Sequence, residues 1–203
     1  MSRESPRPTA YPSGLDEETL RRVSQRDPEA MNRFFGVFFD RVHAYATRLL
    51  RDATLAEDLT QDAFVRMHSA IDRLDPMRDP GPWVFTVVTN TVRDYWRSRQ
   101  YRTNGQHVSL DDAWDVASDV ERTGGDLLLE RKEAAAQVRA AMGQLSPADR
   151  EILLLRCFRE METSDIEEVL GINADAVRQR YSRAVRRLGV AFRALQEQDQ
   201  VPK

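Results

Sequence analysis

Met31, Phe34, Phe35, Phe38, Val42, Tyr45 and Leu49 recur at steps of three and four residues, and no stretch alternates as a strand would. Such steps gather the apolar side chains on one stripe of a helix, which a folded chain must bury against other helices. A second stripe follows in Leu55, Leu59, Ala63, Met67, Ile71 and Leu74, in a helix that Thr54 and Glu57 would open as a capping box. Asp75-Pro76 stops it, because the residue before proline is pushed out of the α region. After a loop from Asp75 to Gly81, Pro82 falls in the first turn of a third helix, where its missing N–H costs nothing. That helix is expected to reach about Arg99, burying Val84, Val87, Val88 and Thr91 or Val92.

From Tyr101 to Gly125 the periodicity lapses into a polar, acidic stretch punctuated by Asn104-Gly105 and Gly124-Gly125, the composition of a linker. Helix resumes over 126–142, and Ser146-Pro147 supplies an N-cap and a first-turn proline for the next one, with Ile152, Leu153, Leu155 and Cys157 facing inward. Ser164 with Glu167 reads as a capping box for a short helix that buries Ile166, Val169 and Leu170. Gly171 can take the left-handed turn at its end. Asn173 then caps a longer helix with Val177, Tyr181, Ala184, Val185 and Leu188 on its inner side. The expected fold is all-α: a disordered tail over 1–18, a helical domain of three to four helices over 19–102, an acidic linker over 103–125, a second helical domain over 126–195 and a tail over 196–203.

The net charge of −3 is low for a nucleic-acid binder, but the average hides a segregation. Six arginines (178, 180, 183, 186, 187 and 193) lie between Leu170 and Arg193 against Asp175 alone. Asp111, Asp112, Asp115, Asp119 and Glu121 lie in a stretch from Thr103 to Glu121 without Lys or Arg. Cys157 is the single cysteine, so an internal disulfide is excluded and a reducing, cytoplasmic setting fits. Apolar runs such as Ile152–Leu155 fall far short of the roughly 20 residues of a membrane span, and Met1–Gly14 has no apolar core of a signal peptide. His43, His68 and His107 are scattered, and no metal-ligand spacing, phosphate-binding glycine loop or acid–base–nucleophile set occurs. No cofactor and no catalytic function are expected.

The pair of helices around Gly171-Ile172-Asn173 describes a helix-turn-helix: a helix of about seven residues braces a longer, Arg-rich one. In that motif the N-terminal turns of the second helix enter the major groove. With Val177, Tyr181 and Ala184 turned to the domain, Arg178, Gln179, Ser182 and Arg183 face outward. Arg pairs bidentately with guanine and Gln with adenine. Arg180, Arg186 and Arg187 suit phosphates, in contacts that weaken with salt. The competing reading is a solvated arginine face; the brace, turn and cap in register favour DNA.

The segment Leu145-Ser146-Pro147-Ala148-Asp149-Arg150-Glu151-Ile152-Leu153-Leu154-Leu155-Arg156, followed by Asp165-Ile166-Glu167-Glu168-Val169-Leu170-Gly171-Ile172, resembles region 4 of the extracytoplasmic-function sigma factors. Ala56-Glu57-Asp58-Leu59-Thr60-Gln61-Asp62-Ala63-Phe64, with Trp83-Val84-Phe85 and Thr89-Asn90-Thr91, is similar to region 2 of the same family, and the likeness covers roughly residues 20 to 195. The resemblance implies a factor that binds core RNA polymerase, reads two promoter elements and assists melting of the duplex. It assigns −35 recognition to Arg178, Gln179, Ser182 and Arg183, and docking on the clamp helices of the largest polymerase subunit to Asp58, Gln61 and Asp62. Recognition of the −10 element falls to the third helix, where Asn90, Arg93, Arg97 and Arg99 suit a single-stranded backbone and base edges. Trp83, Tyr95 and Trp96 offer stacking platforms, although helical spacing favours a buried Trp83. The loop before that helix carries Pro76, Pro80 and Pro82 and lacks the aromatic often found shortly before the tryptophan. The acidic linker is either a segment that threads the polymerase cleft or a solubilising tether. An anti-sigma protein is a further partner the resemblance implies. Rival readings are a sigma-like decoy that occupies an anti-sigma protein and a DNA-binding regulator that never engages polymerase.

Overall fold

The computed structural model describes residues 11–102 and 125–199, with side chains over 11–99 and 134–197. The acidic stretch of the linker, residues 1–10 and residues 200–203 lie outside the described residues. The described chain is all-α: α1 (Glu17–Ser24), α2 (Pro28–Leu50), α3 (Ala53–Ser69), a 3-10 turn (Ile71–Arg73), α4 (Pro80–Arg102), α5 (Gly125–Gly143), α6 (Pro147–Leu153), a π turn (Leu154–Phe158), α7 (Thr163–Leu170) and α8 (Ala174–Asp199). It divides into two compact units, the first drawn mainly from residues 11–47 and 54–102, the second mainly from 125–167 and 171–199.

In the first unit the α2 stripe is buried through Met31, Phe34, Phe38, Val42 and Tyr45, with Phe35 half-buried beside it; Leu49, which continues the stripe, is buried in the end of α2 that belongs to the second unit. The α3 stripe buries Leu59, Ala63 and Met67 and continues through Ile71 and Leu74. From α4 come Val84, Phe85, Val88, Thr91 and Val92; Val87 is half-buried at the edge of that face, and Thr89 is buried unforeseen. Thr89 is tolerated there because its hydroxyl lies 3.2 Å from the Tyr45 hydroxyl, so the two buried polar groups satisfy each other. The Phe85 ring meets Tyr45 edge-on at 5.3 Å between centroids.

Several boundaries differ from expectation. The stretch read as a disordered tail is ordered from Tyr11: Leu15 is fully buried, and the Tyr11 hydroxyl donates to the Pro76 carbonyl at 3.1 Å. Asp16 caps α1 by accepting the Thr19 N–H at 2.7 Å. Because α3 starts at Ala53, Thr54 lies inside the helix and does not cap it; Asp52, a better N-cap residue type, precedes it. Helix α4 begins at Pro80, two residues before Pro82, with the Asp79 carboxylate accepting the Gly81 N–H at 3.3 Å. The expected C-terminal tail is helical to Asp199.

In the second unit, Ser146 caps α6 by accepting the Asp149 N–H at 3.2 Å. Helix α6 is central, and Asp149 through Leu155 are buried. A π turn follows, closed by the Arg159 N–H on the Leu154 carbonyl at 3.0 Å. Cys157, expected in the core, is exposed. The reason is that a π turn adds one residue to the helical register and carries Cys157 off the face of Leu153 and Leu155. The α7 cap also moves: the Glu162 N–H donates to the Asp165 carboxylate at 3.2 Å, two residues before the expected Ser164–Glu167 pair.

Candidate nucleic-acid interface

Gly171 makes the turn between α7 and α8. Its φ of 65° and ψ of 34° place it in the left-handed region, and its N–H bonds the Glu167 carbonyl at 2.8 Å. Two residues on, Asn173 caps α8, its side-chain oxygen accepting the Ala176 N–H at 2.9 Å while its carbonyl takes the Val177 N–H at 3.0 Å. The entry angle of α8 is thus set by a glycine that can bend and an asparagine that ends the bend.

Successive residues of a helix step about 100° around its axis, which sorts the side chains of α8. Val177, Ala184 and Ala191 are buried, with Tyr181 and Leu188 half-buried on the same stripe. Val185, expected there, is 43% exposed, because it falls about 80° from Val177 and outside the contact. Arg178, Gln179, Ser182, Arg183 and Arg186 are exposed on the far side. In the free chain Arg178 bonds Asp175 at 2.5 Å, an exposed pair that solvent screens.

Arg180, expected on phosphate, is turned inward. Its side chain is only 20% exposed, and it bonds the Glu151 carboxylate of α6, itself 2% exposed, at 3.1 Å. Arg180 lies about 60° from Val177, at the edge of the buried stripe, where its fork reaches the neighbouring helix and not solvent. Arg187, two turns along the same edge, bonds the buried Asp149 carboxylate at 2.5 Å while its side chain stays 60% exposed. Burial alone would raise the Asp149 carboxyl; hydrogen bonds from Arg187 and Ser146 outweigh it and hold the group below the ordinary carboxylate value. Sequence patterning missed both acids, whose only signal was two carboxylates inside an otherwise buried helix.

The first unit presents two further faces. Asp58, Gln61 and Asp62 are exposed on α3, opposite the buried Leu59, Ala63 and Met67. Val65 shares that face and is 66% exposed, a residue the periodicity passed over because it lies off the inner stripe. On α4, Asn90 and Arg97 are exposed and Arg93 is half-exposed, at spacings that put the three on one face. Arg99 does not join them: it lies about 180° around the helix from Asn90, and its guanidinium donates to the Tyr95 hydroxyl at 3.3 Å. Asp94 sits among these residues and pairs with Arg66 at 2.7 Å and Arg97 at 3.4 Å. Trp83, expected to be buried, is half-buried, as are Tyr95 and Trp96.

Residues 36–102 match the family model of Sigma-70 region 2, and residues 135–188 match that of Sigma-70, region 4. RNA polymerase sigma factor CnrH of Cupriavidus metallidurans is 30% identical over 145 residues, covering 70% of this chain and 75% of that protein. The chain belongs to the extracytoplasmic-function family of RNA polymerase sigma factors. The ECF RNA polymerase sigma factor BldN of Streptomyces coelicolor is 30% identical over 172 residues, which is 84% of this chain. The probable RNA polymerase sigma factor RfaY of Xanthomonas campestris is 32% identical over 162 residues. The chain spans 63% of the length of BldN and 38% of that of RfaY.

Among solved structures the family fold recurs. CnrH in complex with the cytosolic domain of CnrY aligns with a TM-score of 0.62 at 23% identity, over 88% of this chain and 97% of that one. The sigma factor RpoE bound to the anti-sigma factor NepR from Bartonella quintana aligns at 0.66 and 20% identity, over 80% of this chain and 96% of that one. The sequence-level expectation of an all-α, two-domain member of this family holds. Among the described residues no helix is long and apolar enough to cross a membrane.

Proposed function

We propose that the chain binds core RNA polymerase and directs it to a restricted set of promoters, reading the −35 element with α8 and the −10 element with α4 and assisting melting. The observation that carries this is the exposed face of Arg178, Gln179, Ser182 and Arg183 on a helix capped by Asn173 and preceded by a left-handed Gly171. Those side chains are of the types that read base edges, and they occupy the first turns of α8, which in a helix-turn-helix enter the major groove. Arg186 and Arg187 take backbone phosphates, with Arg187 dividing its charge between phosphate and Asp149. Arg180 serves the domain and not the DNA.

In the first unit Asn90, Arg93 and Arg97 form the face offered to the melted strand, and Arg99 drops out of it. Asp58, Gln61 and Asp62, with Val65 as an apolar centre, form the docking face for the polymerase clamp helices. The exposed Val65 supports that reading, because an apolar side chain ringed by polar ones suits a protein contact better than a solvated surface. An anti-sigma protein is a second partner, by analogy with the complexes of CnrH and RpoE. The protein acts in the cytoplasm and carries no catalytic chemistry of its own; RNA synthesis belongs to the polymerase.

Core polymerase mixed with the purified chain and a promoter library tests this directly, with sequencing of the run-off transcripts. Transcripts starting from a defined promoter class are expected. Absence of both promoter-dependent transcription and polymerase binding would overturn the proposal.

A further inference from the structure

Apolar packing resists separation of two helices far better than rotation of one against the other, because burial has no direction of its own. The inner stripe of α8 is poor in large, fully buried side chains: Val177, Ala184 and Ala191 are its buried residues, and Tyr181 and Leu188 are only half-buried. Such a stripe offers few knobs to stop the helix turning or sliding. Yet base reading demands a fixed azimuth, since a turn of one residue step, about 100°, would replace Arg183 by a neighbour at the groove.

The two acid–arginine contacts supply the missing direction. Glu151 and Asp149 are 2% and 4% exposed, so each carboxylate needs its partner. Their partners, Arg180 and Arg187, are seven residues apart, which places the two attachment points about 10.5 Å apart along α8 and on the same edge. Rotating or sliding α8 would break both contacts and cost each buried carboxylate its arginine. A single contact could act as a pivot; two, separated by two turns, cannot. Ser146 holds the Asp149 carboxylate from the other side at 2.8 Å, so this anchor is itself fixed to the cap of α6.

We propose that Glu151 and Asp149 are positioning residues for promoter specificity: acting through Arg180 and Arg187, they lock the azimuth of the reading helix without touching DNA. The inference rests on the reading of α8 as the base-contacting helix. It assigns sequence discrimination, and not merely stability, to two acids on the bracing side of the motif.

The test separates those two roles by exchanging a clasp for apolar groups. Replacing a buried ion pair by apolar side chains of similar size is often neutral or stabilising. The double variant Glu151→Leu with Arg180→Met should therefore melt at or above the wild-type temperature. Its selectivity should fall all the same. The full-length chain is titrated against the duplex it enriches from a randomised library and, separately, against poly(dI-dC), and the ratio of the two affinities is read. That ratio should drop roughly tenfold in the double variant, the discrimination of one misplaced bidentate contact, with poly(dI-dC) affinity unchanged. The charge-exchanged pair Glu151→Arg with Arg180→Glu, which rebuilds the contact, should recover part of it. An unchanged ratio in a folded Glu151→Leu/Arg180→Met chain overturns the inference. Arg178→Ala and Arg183→Ala are measured beside it: if those leave the ratio unchanged too, the DNA reading of α8 itself has failed, whereas a loss in those alone refutes only the clasp.

Discussion

The helices that carry the candidate DNA contacts, α4 and α8, are held by different physics. Helix α4 packs Val84, Phe85, Val88 and Val92 into a core shared with Phe34, Phe38 and Tyr45, all at 1% exposure or less. Large, oddly shaped side chains fix a helix by interlocking, and the Tyr45–Thr89 contact is a local addition to that. Among its described residues the second unit has no aromatic among the fully buried side chains; Leu49, Ile152, Leu155 and Ile166 are its largest. There α8 is fixed by charge: two buried acids on α6 grip two arginines. A small core lacking shape can still be specific if directional contacts replace interlocking.

That contrast can be broken in order of expected size. Phe34→Ala should cost about 3–5 kcal/mol, as a buried ring removed from a close-packed core does, read from the midpoint of urea unfolding. A much smaller loss would show that the first unit is not held by shape. Arg180→Ala, which takes the arginine from the buried Glu151 carboxylate, should cost about 3 kcal/mol in the same measurement. Arg178→Ala or Arg183→Ala should leave unfolding unchanged and cost roughly 1–3 kcal/mol of discrimination between the selected duplex and bulk DNA. Equal weakening on all sequences would mean that these residues meet phosphate alone. Tyr45→Phe, which leaves the Thr89 hydroxyl without its partner, should cost about 1 kcal/mol.

The smallest effect is in the pH profile. Asp149 has a folded-state value depressed below that of the unfolded chain, so its contribution is complete above the ordinary carboxylate range and is lost as the pH falls through the folded value. Asp149→Asn should flatten the acid limb of the stability curve below about pH 4 while leaving the slope near neutrality alone. An acid limb identical to wild type would place the acid sensitivity elsewhere.

How far each feature could be foreseen follows from the range of the interaction behind it. The stripes of α2 and α3, the Ser146, Gly171 and Asn173 signals and the outward face of α8 are local, set by residues within a turn or two of one another. The cap slipped at Thr54 because α3 already starts at Ala53, and at Ser164 because Glu162 and Asp165 form the capping box instead. Cys157 left the expected core because the π turn changes the helical step, and a pattern read at a constant step does not register that. Tyr11 was unforeseen as a packed residue because its anchor, the Pro76 carbonyl, is 65 positions away.

The all-α, divided architecture, the sigma-factor family and the outward face of Arg178, Gln179, Ser182 and Arg183 on α8 were legible in the sequence alone. Periodicity, capping and motif order are written in neighbouring residues, and neighbours suffice to read them. It took the packed helices to show that Arg180 faces inward, that Arg187 bonds a buried carboxylate and that Asp149 and Glu151 are buried and bonded. Those contacts join residues 29 and 38 positions apart. In the sequence, an arginine at the edge of a helical stripe looks the same whether solvent, phosphate or a buried carboxylate lies beyond it. The neighbouring helix makes the difference.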